Sequence, residues 1–172
     1  NKPISAILFT HSHIDHFGGA LSVLGAGENT QIVAPVGFME EATSENVIAG
    51  NTMSRRSMFM YGSELERSPR GHVDSGLGKS PAFGSPGIAS PTHTITNTGE
   101  TLTIDGVDFI FQNAPGSEAP AELTFYLPQH KAFCGAEVVS RNMHNLYTLR
   151  GAQVRDARKW SGYIDEAIGL FP

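Results

Sequence analysis

Short apolar runs separated by turns characterise the first third of the chain. Residues 4–9 and 31–34 each form a largely apolar run of strand length, and Pro35 ends the second run. Such runs predict buried strands. Over residues 37–61 the apolar positions recur with helical spacing, and we expect two helical pieces separated near Gly50-Asn51. Strands that alternate with helices indicate an α/β fold.

Paired antiparallel strands are predicted in the second half of the chain. Residues 101–104 and 107–111 flank Asp105-Gly106, which is one of the strongest sequence patterns for a hairpin. Residues 123–127 and 131–135 predict a second pair, joined by a short turn. Together with the alternating elements before them, these strands favour a layered α/β domain with a mixed sheet and flanking helices.

The last predicted element is an amphipathic helix over residues 152–170. Arg155 is expected on its solvent-facing side. The stripe expected to face the core consists of Val154, Ala157, Ser161, Ile164 and Ile168.

Residues 62–91 interrupt the regular pattern. This stretch contains six Gly, four Pro and six Ser among its 30 residues, a composition that disfavours long helices and strands. A loop of this length inside a compact domain is usually functional or disordered. If it is functional, we expect either a lid over a site or an arm that contacts a second subunit.

Composition and charge narrow the functional classes. With 172 residues the chain has room for one medium domain. The formal net charge of −5 and the lack of a basic cluster argue against nucleic-acid binding. Apolar runs fall far short of the roughly 20 residues that a membrane span requires, so no stable membrane insertion is expected. The single cysteine, Cys134, excludes an intrachain disulfide.

A run of metal-ligand side chains directly follows the first predicted strand. His11, His13, Asp15 and His16 lie within six residues, and imidazole and carboxylate groups both suit zinc. A strand places His11 and His13 on one face, so both can bind one ion, while the following turn can direct Asp15 and His16 to a second. Two neighbouring ions can share a water and lower its pKa. The alternative, a polar turn with incidental histidines, is disfavoured by the number and spacing of the ligands.

The motif carries a family resemblance. Residues 10–19, Thr-His-Ser-His-Ile-Asp-His-Phe-Gly-Gly, resemble the His-x-His-x-Asp-His signature of the metallo-β-lactamase superfamily. The resemblance implies an αββα sandwich with metals at the sheet edges. The two later turns that supply ligands in that family match residues 113–118 and 134–137. Here Asn113 stands where a histidine is common, and Glu137 replaces the usual aspartate.

Glutamates in these turns are similar to those of the alkylsulfatase branch, as are residues 55–62, 115–122 and 144–156. The resemblance implies that one zinc binds three of the side chains and that a second zinc binds two others, with one glutamate bridging the ions. Glu122 is the rival to Glu118 and is more typical of a surface or supporting carboxylate. The branch supplies a further histidine to the second zinc after the position of Arg155, and no histidine follows His144 here. If the chain ends at Pro172, we expect the second site to be one ligand short, and either empty or completed by water. The first zinc would bind His11, His13 and Glu118, and the second Asp15 and His16, with Glu137 as the bridge.

The same resemblance assigns substrate contacts. Arg150 offers a planar donor fork for a sulfate, and Asn145 offers a neutral donor. Their alternative roles are a surface ion pair for Arg150 and a helix cap for Asn145. His144 is a candidate proton donor to the leaving group, or a residue that supports the site. Arg55 and Arg56 either line the site or pair with Glu40, Glu41 or Glu45.

The resemblance to the alkylsulfatase branch implies zinc-dependent hydrolysis of alkyl sulfate esters to alcohol and sulfate. The alternatives are another hydrolase of the same fold, acting on thioesters, lactones or phosphodiesters, or an inactive fragment that only binds metal. The resemblance implies that residues 1–172 are part of a catalytic domain without the family's C-terminal domains. It also implies a homodimer and a periplasmic or secreted location. Met58, Phe59, Met60 and Phe83 are candidate linings for the alkyl chain.

Overall fold

The strands and helices follow the predicted order closely. The computed structural model describes residues 3–25, 29–76, 78–79 and 84–172, and every structural statement below refers to those residues. The strands are β1 Ala6–Leu8, β2 Gln31–Pro35, β3 His93–Ile95, β4 Thr101–Ile104, β5 Val107–Asn113, β6 Leu123–Leu127 and β7 Ala132–Cys134. The α-helices are α1 Ile14–Phe17, α2 Phe38–Thr43, α3 Gly50–Tyr61 and α4 Ala157–Leu170.

The first sheet is parallel, with the order β1-β2-β3. Val33 of β2 lies opposite Leu8 on one side and His93 on the other. β2 is buried over most of its length, as expected for a central parallel strand that is covered on both faces. The two predicted apolar strands are confirmed. The sequence analysis missed β3, because three residues with a polar start show too little periodicity.

The second sheet is antiparallel, with the order β4-β5-β6-β7. Asp105 (φ 50°) and Gly106 (φ 79°) both adopt left-handed conformations, as a type I′ hairpin turn requires. Both predicted strand pairs are confirmed. β5 runs two residues further than predicted, to Asn113, which pairs with Leu123 of β6. The turn between these two residues carries Glu118.

Three apolar clusters define the layers. The first lies against the outer face of the parallel sheet, where the rings of Phe9 and Phe38 stack at 4.9 Å. The second fills the space between the sheets, with Val33 and Phe111 fully buried. The third surrounds Trp160 of α4 beside the second sheet. This helix–sheet–sheet–helix order confirms the predicted αββα layering, with parallel and antiparallel pairing in separate sheets.

The helical region that follows β2 contains an unusual turn. α2 continues into a π-helical segment, Ser44–Ile48, before α3 begins at Gly50. The predicted break near Gly50-Asn51 is therefore confirmed to within a residue or two. π-helical turns are rare and frequently occur at functional sites. Glu45 lies on this segment.

The loop predicted over residues 62–91 is confirmed where the structure describes it. Residues 62–76, 78–79 and 84–91 contain neither helix nor strand. The Gly87 amide donates to the carbonyl of Gly18 at 2.9 Å, which fixes the end of the loop beside α1. Within the described ranges, no helix combines the length and the apolar content needed to cross a membrane.

The last helix begins later than predicted. α4 starts at Ala157 instead of residue 152, and the Asp156 side chain accepts from the amides of Arg158 and Lys159, each at 3.0 Å. A carboxylate in this position satisfies two amides that lack partners within the helix. Residues 152–155 consequently lie outside the helix, and the buried Arg155 reaches the site described below.

The predicted buried stripe of this helix is wrong except at Ile164, which packs against the cluster around Trp160. Val154 and Ile168 are exposed, whereas Trp160 and Ala167 are buried. The Trp160 indole N–H donates to the carbonyl of Val138 at 2.8 Å, so the ring is anchored inside. One large aromatic residue with a hydrogen-bond partner sets the orientation of the helix more strongly than the aliphatic spacing does.

Replacing Asp156, the N-terminal cap of α4, should lower the stability of the domain. We expect Asp156→Ala to lower the free energy of unfolding by about 1 kcal/mol, because both first-turn hydrogen bonds are lost. Urea unfolding of the metal-free protein, followed by circular dichroism, measures the change. Asp165→Ala, an exposed position on the same helix, is the control and should change the free energy by less than about 0.5 kcal/mol. Equal losses in the two variants would contradict the capping role.

Candidate metal centre

The histidine-rich motif lies where the two sheets approach each other. The Leu123 amide at the start of β6 donates to the carbonyl of Thr10 at 2.8 Å. His11 forms an antiparallel bridge with Glu122. Residues 10–13 are therefore held beside the turn that precedes β6.

The short helix α1 gathers the imidazole rings. His13 precedes this helix, and the His16 amide donates to its carbonyl at 3.1 Å. Because α1 is a single turn, the His16 ring returns to His11, with the ring centroids 4.1 Å apart. The His13 ring lies 4.9 Å from that of His11 and nearly perpendicular to it, at 88°. Three rings that are close in sequence thus converge in space.

A tight turn between β5 and β6 presents Glu118. Gly116 has φ 73°, a conformation that side chains disfavour, and its amide donates to the carbonyl of Ala119 at 3.1 Å. The Glu122 carboxyl braces this turn by accepting from the Ser117 hydroxyl at 2.8 Å and from the Ala119 amide at 2.9 Å. Glu118 is fully buried beside the histidines.

Glu118 and its rival Glu122 occupy different environments. Burial, supplemented by the charge of nearby Glu118, raises the pKa of Glu122 to about 8. A carboxyl group with this pKa is largely protonated at neutral pH and carries little charge. Glu118 contacts the histidines, whereas Glu122 bonds to the turn.

Four side chains of ligand type converge. One donor atom from each lies within 4.8 Å of the others; the residues are His11, His13, Glu118 and Glu137. Glu118 Oε2 lies 3.0 Å from His13 Nδ1 and 3.7 Å from His11 Nε2. His11 Nε2 is 3.4 Å from Glu137 Oε2. Thr10 Oγ1, at 3.0 Å from His11 Nδ1, holds the ring with Nε2 toward the cluster.

Asp15 and His16 lie at the outer side of this cluster. His16 Nε2 is 3.4 Å from Asp15 Oδ2 and 3.5 Å from Glu137 Oε2. Glu137 therefore contacts both His11 and His16. The Asp15 side chain is 61% exposed, so this part of the cluster faces solvent.

Neighbouring histidines keep the carboxylates of Asp15 and Glu137 charged. Hydrogen bonds to Asp15 and then to Glu137 raise the pKa of His16 to about 10. The imidazoles of His11 and then His16, which lie beside its carboxylate, hold the pKa of Glu137 well below its usual range. The bond to His16 likewise lowers the pKa of Asp15. Both carboxylates are thus ionised at neutral pH, beside the positive charge that they require.

The donor set fits a divalent metal ion. His11 Nε2 and Glu118 Oε2 are both buried, and neither has a hydrogen-bond partner within the described ranges. Leaving such atoms unsatisfied costs about 1–3 kcal/mol each, and a cation between them satisfies both. The combination of imidazole nitrogen and carboxylate oxygen is compatible with metal binding.

The predicted substrate residues are distributed unevenly around the cluster. His144 Nε2 lies 3.1 Å from Glu118 Oε1 and 3.8 Å from Glu137 Oε2. The Asn145 amide donates to Glu118 Oε1 at 2.5 Å. Arg150 is half-buried, and the described residues give it neither an ion pair nor a hydrogen bond. The structure brings His144 and Asn145 to the cluster and shows no contact between it and Arg150.

Two residues that the sequence analysis did not assign to the site contact His13. Arg155 Nη2 lies 3.3 Å from His13 Nε2, and Arg155 Nε donates to the carbonyl of Glu118 at 2.9 Å. Glu45 Oε1 lies 3.4 Å from Arg155 Nη2, and its Oε2 lies 4.0 Å from His13 Nε2. Arg155 falls in the stretch 144–156 that resembles the family, so a sequence clue existed for it. Glu45 had been considered only as a partner for Arg55 or Arg56, and none of these pairs forms among the described residues.

Two cavities of about 260 Å³ each lie on the surface. The first adjoins the metal motif, and its lining includes Ile14, Phe17, Thr43, Asn46, Val47 and Ile88. The second is lined by Arg56, Phe59, Met60 and Leu149. Two predicted linings of the alkyl chain, Phe59 and Met60, therefore line a cavity. Met58 is not among these lining residues, and Phe83 lies outside the described residues.

The sequence matches a known family model and curated relatives over almost its whole length. The family model described as the metallo-beta-lactamase superfamily matches residues 1–171. The chain is 48% identical to the alkyl/aryl-sulfatase BDS1 of Saccharomyces cerevisiae, with 99% of this chain aligned. It is 44% identical to a linear primary-alkylsulfatase of Pseudomonas sp, again with 99% of this chain aligned. The chain spans 27% and 26% of the lengths of these two relatives.

The fold is also similar to those of two solved structures. The stereoselective inverting sec-alkylsulfatase Pisa1 from Pseudomonas sp. superposes with a TM-score of 0.90 at 44% identity, covering 99% of this chain and 28% of that one. The B3 metallo-beta-lactamase BLEG-1 superposes with a TM-score of 0.56 at 19% identity, covering 97% of this chain and 64% of that one. The second similarity supports the fold alone.

Proposed function

The chain belongs to the metallo-beta-lactamase superfamily, and on that premise we propose that it carries the metal site of a zinc-dependent hydrolase of alkyl sulfate esters. The observation that supports this most strongly is the glutamate pair, Glu118 and Glu137, which converges with the histidines of the motif. The similarity to alkylsulfatases at 44–48% identity supports the same substrate class.

We propose two zinc ions, each held by a separate part of the cluster. The 3.4 and 3.5 Å approaches of Glu137 Oε2 to His11 and His16 support a bridging role for this carboxylate. Bound zinc would lower the pKa of a coordinated water and so supply a nucleophile near neutral pH. The proposed ligands are His11, His13 and Glu118 for the first ion, and Asp15 and His16 for the second, with Glu137 between them.

The remaining polar residues would orient the ester and manage protons. The Asn145 amide has two N–H groups; one holds Glu118 Oε1, and the other is free to donate to a sulfate oxygen. The Arg150 guanidinium has its planar donor fork uncommitted, and we assign the sulfate to it. His144 Nε2 is proposed to hold the proton that the leaving group takes up.

The alkyl chain needs an apolar cavity close to the metal centre. The cavity beside Ile14 fits this requirement, because Ile14 lies between His13 and Asp15 in the chain. Asn46, which also lines it, follows Glu45, the residue beside His13. We assign the alkyl chain to this cavity. The one beside Phe59 and Met60 is the rival position.

A substrate panel tests the proposed function. Hydrolysis of the ester consumes one water and releases alcohol, sulfate and a proton, so sulfate release and proton release should match. We expect zinc-loaded protein to cleave octyl, decyl and dodecyl sulfates, with kcat/KM rising about fourfold per methylene until the cavity is full. Chelator-treated protein is the control and should be inactive.

Other substrates in the panel separate the alternatives. Turnover of a lactone, a thioester or a phosphodiester without turnover of any sulfate ester would refute the proposal in favour of another hydrolase. Stoichiometric zinc without turnover of any substrate would favour a metal-binding role alone. The homodimer, the periplasmic or secreted location and the lack of nucleic-acid binding stay predictions.

A further inference from the structure

The Nε2 atom of His13 lies beside an ion pair between Glu45 and Arg155, two residues that are distant from it in the sequence. His13 is 7% exposed, and its ring presents Nδ1 to Glu118 and Nε2 to Arg155 and Glu45. We propose that Glu45 and Arg155 act as a positioning pair that sets the orientation and the tautomer of His13 for metal binding. This inference rests on the proposed function, since it assigns His13 to a metal ion.

Arg155 is placed to lock several parts of the site at once. Its Nε donates to the Glu118 carbonyl at 2.9 Å, and its Nη1 donates to the Gln153 carbonyl at 2.7 Å. Its own amide donates to the carbonyl of Leu146 at 2.9 Å, beside Asn145. The rigid guanidinium fork thus ties the Glu118 turn to the position of His13, and the backbone amide of Arg155 ties the residue 144–151 segment to the same place.

The chemistry of imidazole explains why a carboxylate is needed beside this arginine. A ring nitrogen that binds a metal cannot also carry a proton, so a neutral His13 bound through Nδ1 carries its proton on Nε2. Arginine has only donors and cannot accept that proton. Glu45 Oε2 faces Nε2 at 4.0 Å, and we assign it as the acceptor once the carboxylate moves about 1 Å closer, to hydrogen-bond distance.

Without metal, the same ring takes the opposite tautomer. Arg155 Nη2, at 3.3 Å, then donates to Nε2, and Nδ1–H faces Glu118 Oε2 at 3.0 Å. A metal held by Nδ1 would leave the proton on Nε2, and the hydrogen bond of Nε2 would then run to Glu45. Arg155 keeps Glu45 in place through its 3.4 Å contact with Oε1. The π-helical turn Ser44–Ile48 supports the Glu45 side chain, which is 11% exposed.

Zinc affinity of the whole chain provides the test, with a chromophoric chelator as competitor. We expect Glu45→Ala to weaken zinc binding at the first site by about 10- to 100-fold, as loss of a ligand's hydrogen-bond partner typically does. Arg155→Lys, which keeps the charge and loses the fork, should also weaken binding. Glu40→Ala, an exposed glutamate on α2, is the matched control and should bind zinc like the original chain.

A second readout follows the ring itself. Long-range ¹H–¹⁵N correlation spectra of the zinc-loaded chain should show His13 protonated at Nε2, and spectra of the metal-free chain should show the proton at Nδ1. In zinc-loaded Glu45→Ala, the Nε2 proton should exchange with water faster, because its acceptor is gone. A purely structural role for Glu45 would change the unfolding midpoint and leave the tautomer and its exchange rate unaltered.

The possible outcomes separate this inference from the proposed function. If the original chain binds zinc, and Glu45→Ala binds it equally well with the same tautomer, the positioning pair is refuted while the metal centre stands. If the original chain binds no zinc, the metal centre and the positioning pair are both refuted. Neither readout depends on sulfate turnover.

Discussion

Replacing His13 with alanine is expected to remove the zinc ion from the first site. His13 is 3.0 Å from Glu118 and nearly fully buried, so its truncation removes one of the three proposed ligands of this ion. We expect bound zinc to fall from two ions per chain to at most one. Turnover of alkyl sulfate should fall about 10³-fold, because the metal contributes several kcal/mol of stabilisation to the reaction. Elemental analysis of dialysed protein and a sulfate-release assay measure the two effects.

The control for this variant is another histidine to alanine change. His130 is exposed in the turn that precedes β7 and lies outside the cluster, so His130→Ala should keep both zinc ions and full turnover. Two zinc ions per chain in His13→Ala would contradict the proposed ligand set. A loss of zinc in both variants would point to a general effect on folding.

The histidine motif could be predicted from sequence because its geometry is local. A strand followed by one helical turn determines where His11, His13 and His16 point, and both elements lie within a dozen residues of chain. The turns at Glu118 and Glu137 needed more information, since about 100 residues separate them from the motif. The family resemblance supplied it. Residue spacing alone gives no reason why these turns should meet the motif.

The pair formed by Glu45 and Arg155 shows what sequence patterns cannot reveal. The two residues are 110 positions apart, and each looks like an ordinary surface charge within its own element. The apolar spacing predicts Arg155 on the exposed side of a helix, yet α4 begins after this residue and its side chain is buried. A helix start is determined by the capping side chain, and here Asp156 overrides the apolar periodicity that suggested an earlier beginning.

The short strand β3 was missed for a related reason. His93, Thr94 and Ile95 carry no strand pattern by themselves, and the segment becomes a strand because β2 offers it a free edge. Its His93 pairs with Glu100 at 3.2 Å, which closes the connection to β4. Tertiary pairing decided this element, whereas the Asp105-Gly106 turn decided the hairpin that follows.

The family resemblance favours Glu118 over Glu122, and residue spacing alone does not distinguish two glutamates that lie four residues apart. The structure separates them by their partners. Burial acting alone would raise the pKa of Glu118, but the nearby His13 and His11 outweigh it and leave the pKa below its ordinary value. Glu122 has no such partner, and burial raises its pKa to about 8. One group is therefore a charged ligand candidate, and the other is a largely neutral brace.

The same substitution at these two positions should consequently have very different results. Glu118→Gln removes a charge that faces two histidines, so we expect zinc affinity at the first site to fall by at least about 100-fold, with a parallel loss of turnover. Glu122→Gln keeps an oxygen that can accept from Ser117 and Ala119, and it replaces a group that is already largely uncharged. We expect its zinc affinity to change by less than about threefold, with a modest loss of stability from the buried amide. Chelator competition and urea unfolding on both variants make the comparison. A larger loss of zinc in Glu122→Gln than in Glu118→Gln would reverse the assignment, because the ligand would then be the residue that we describe as the brace.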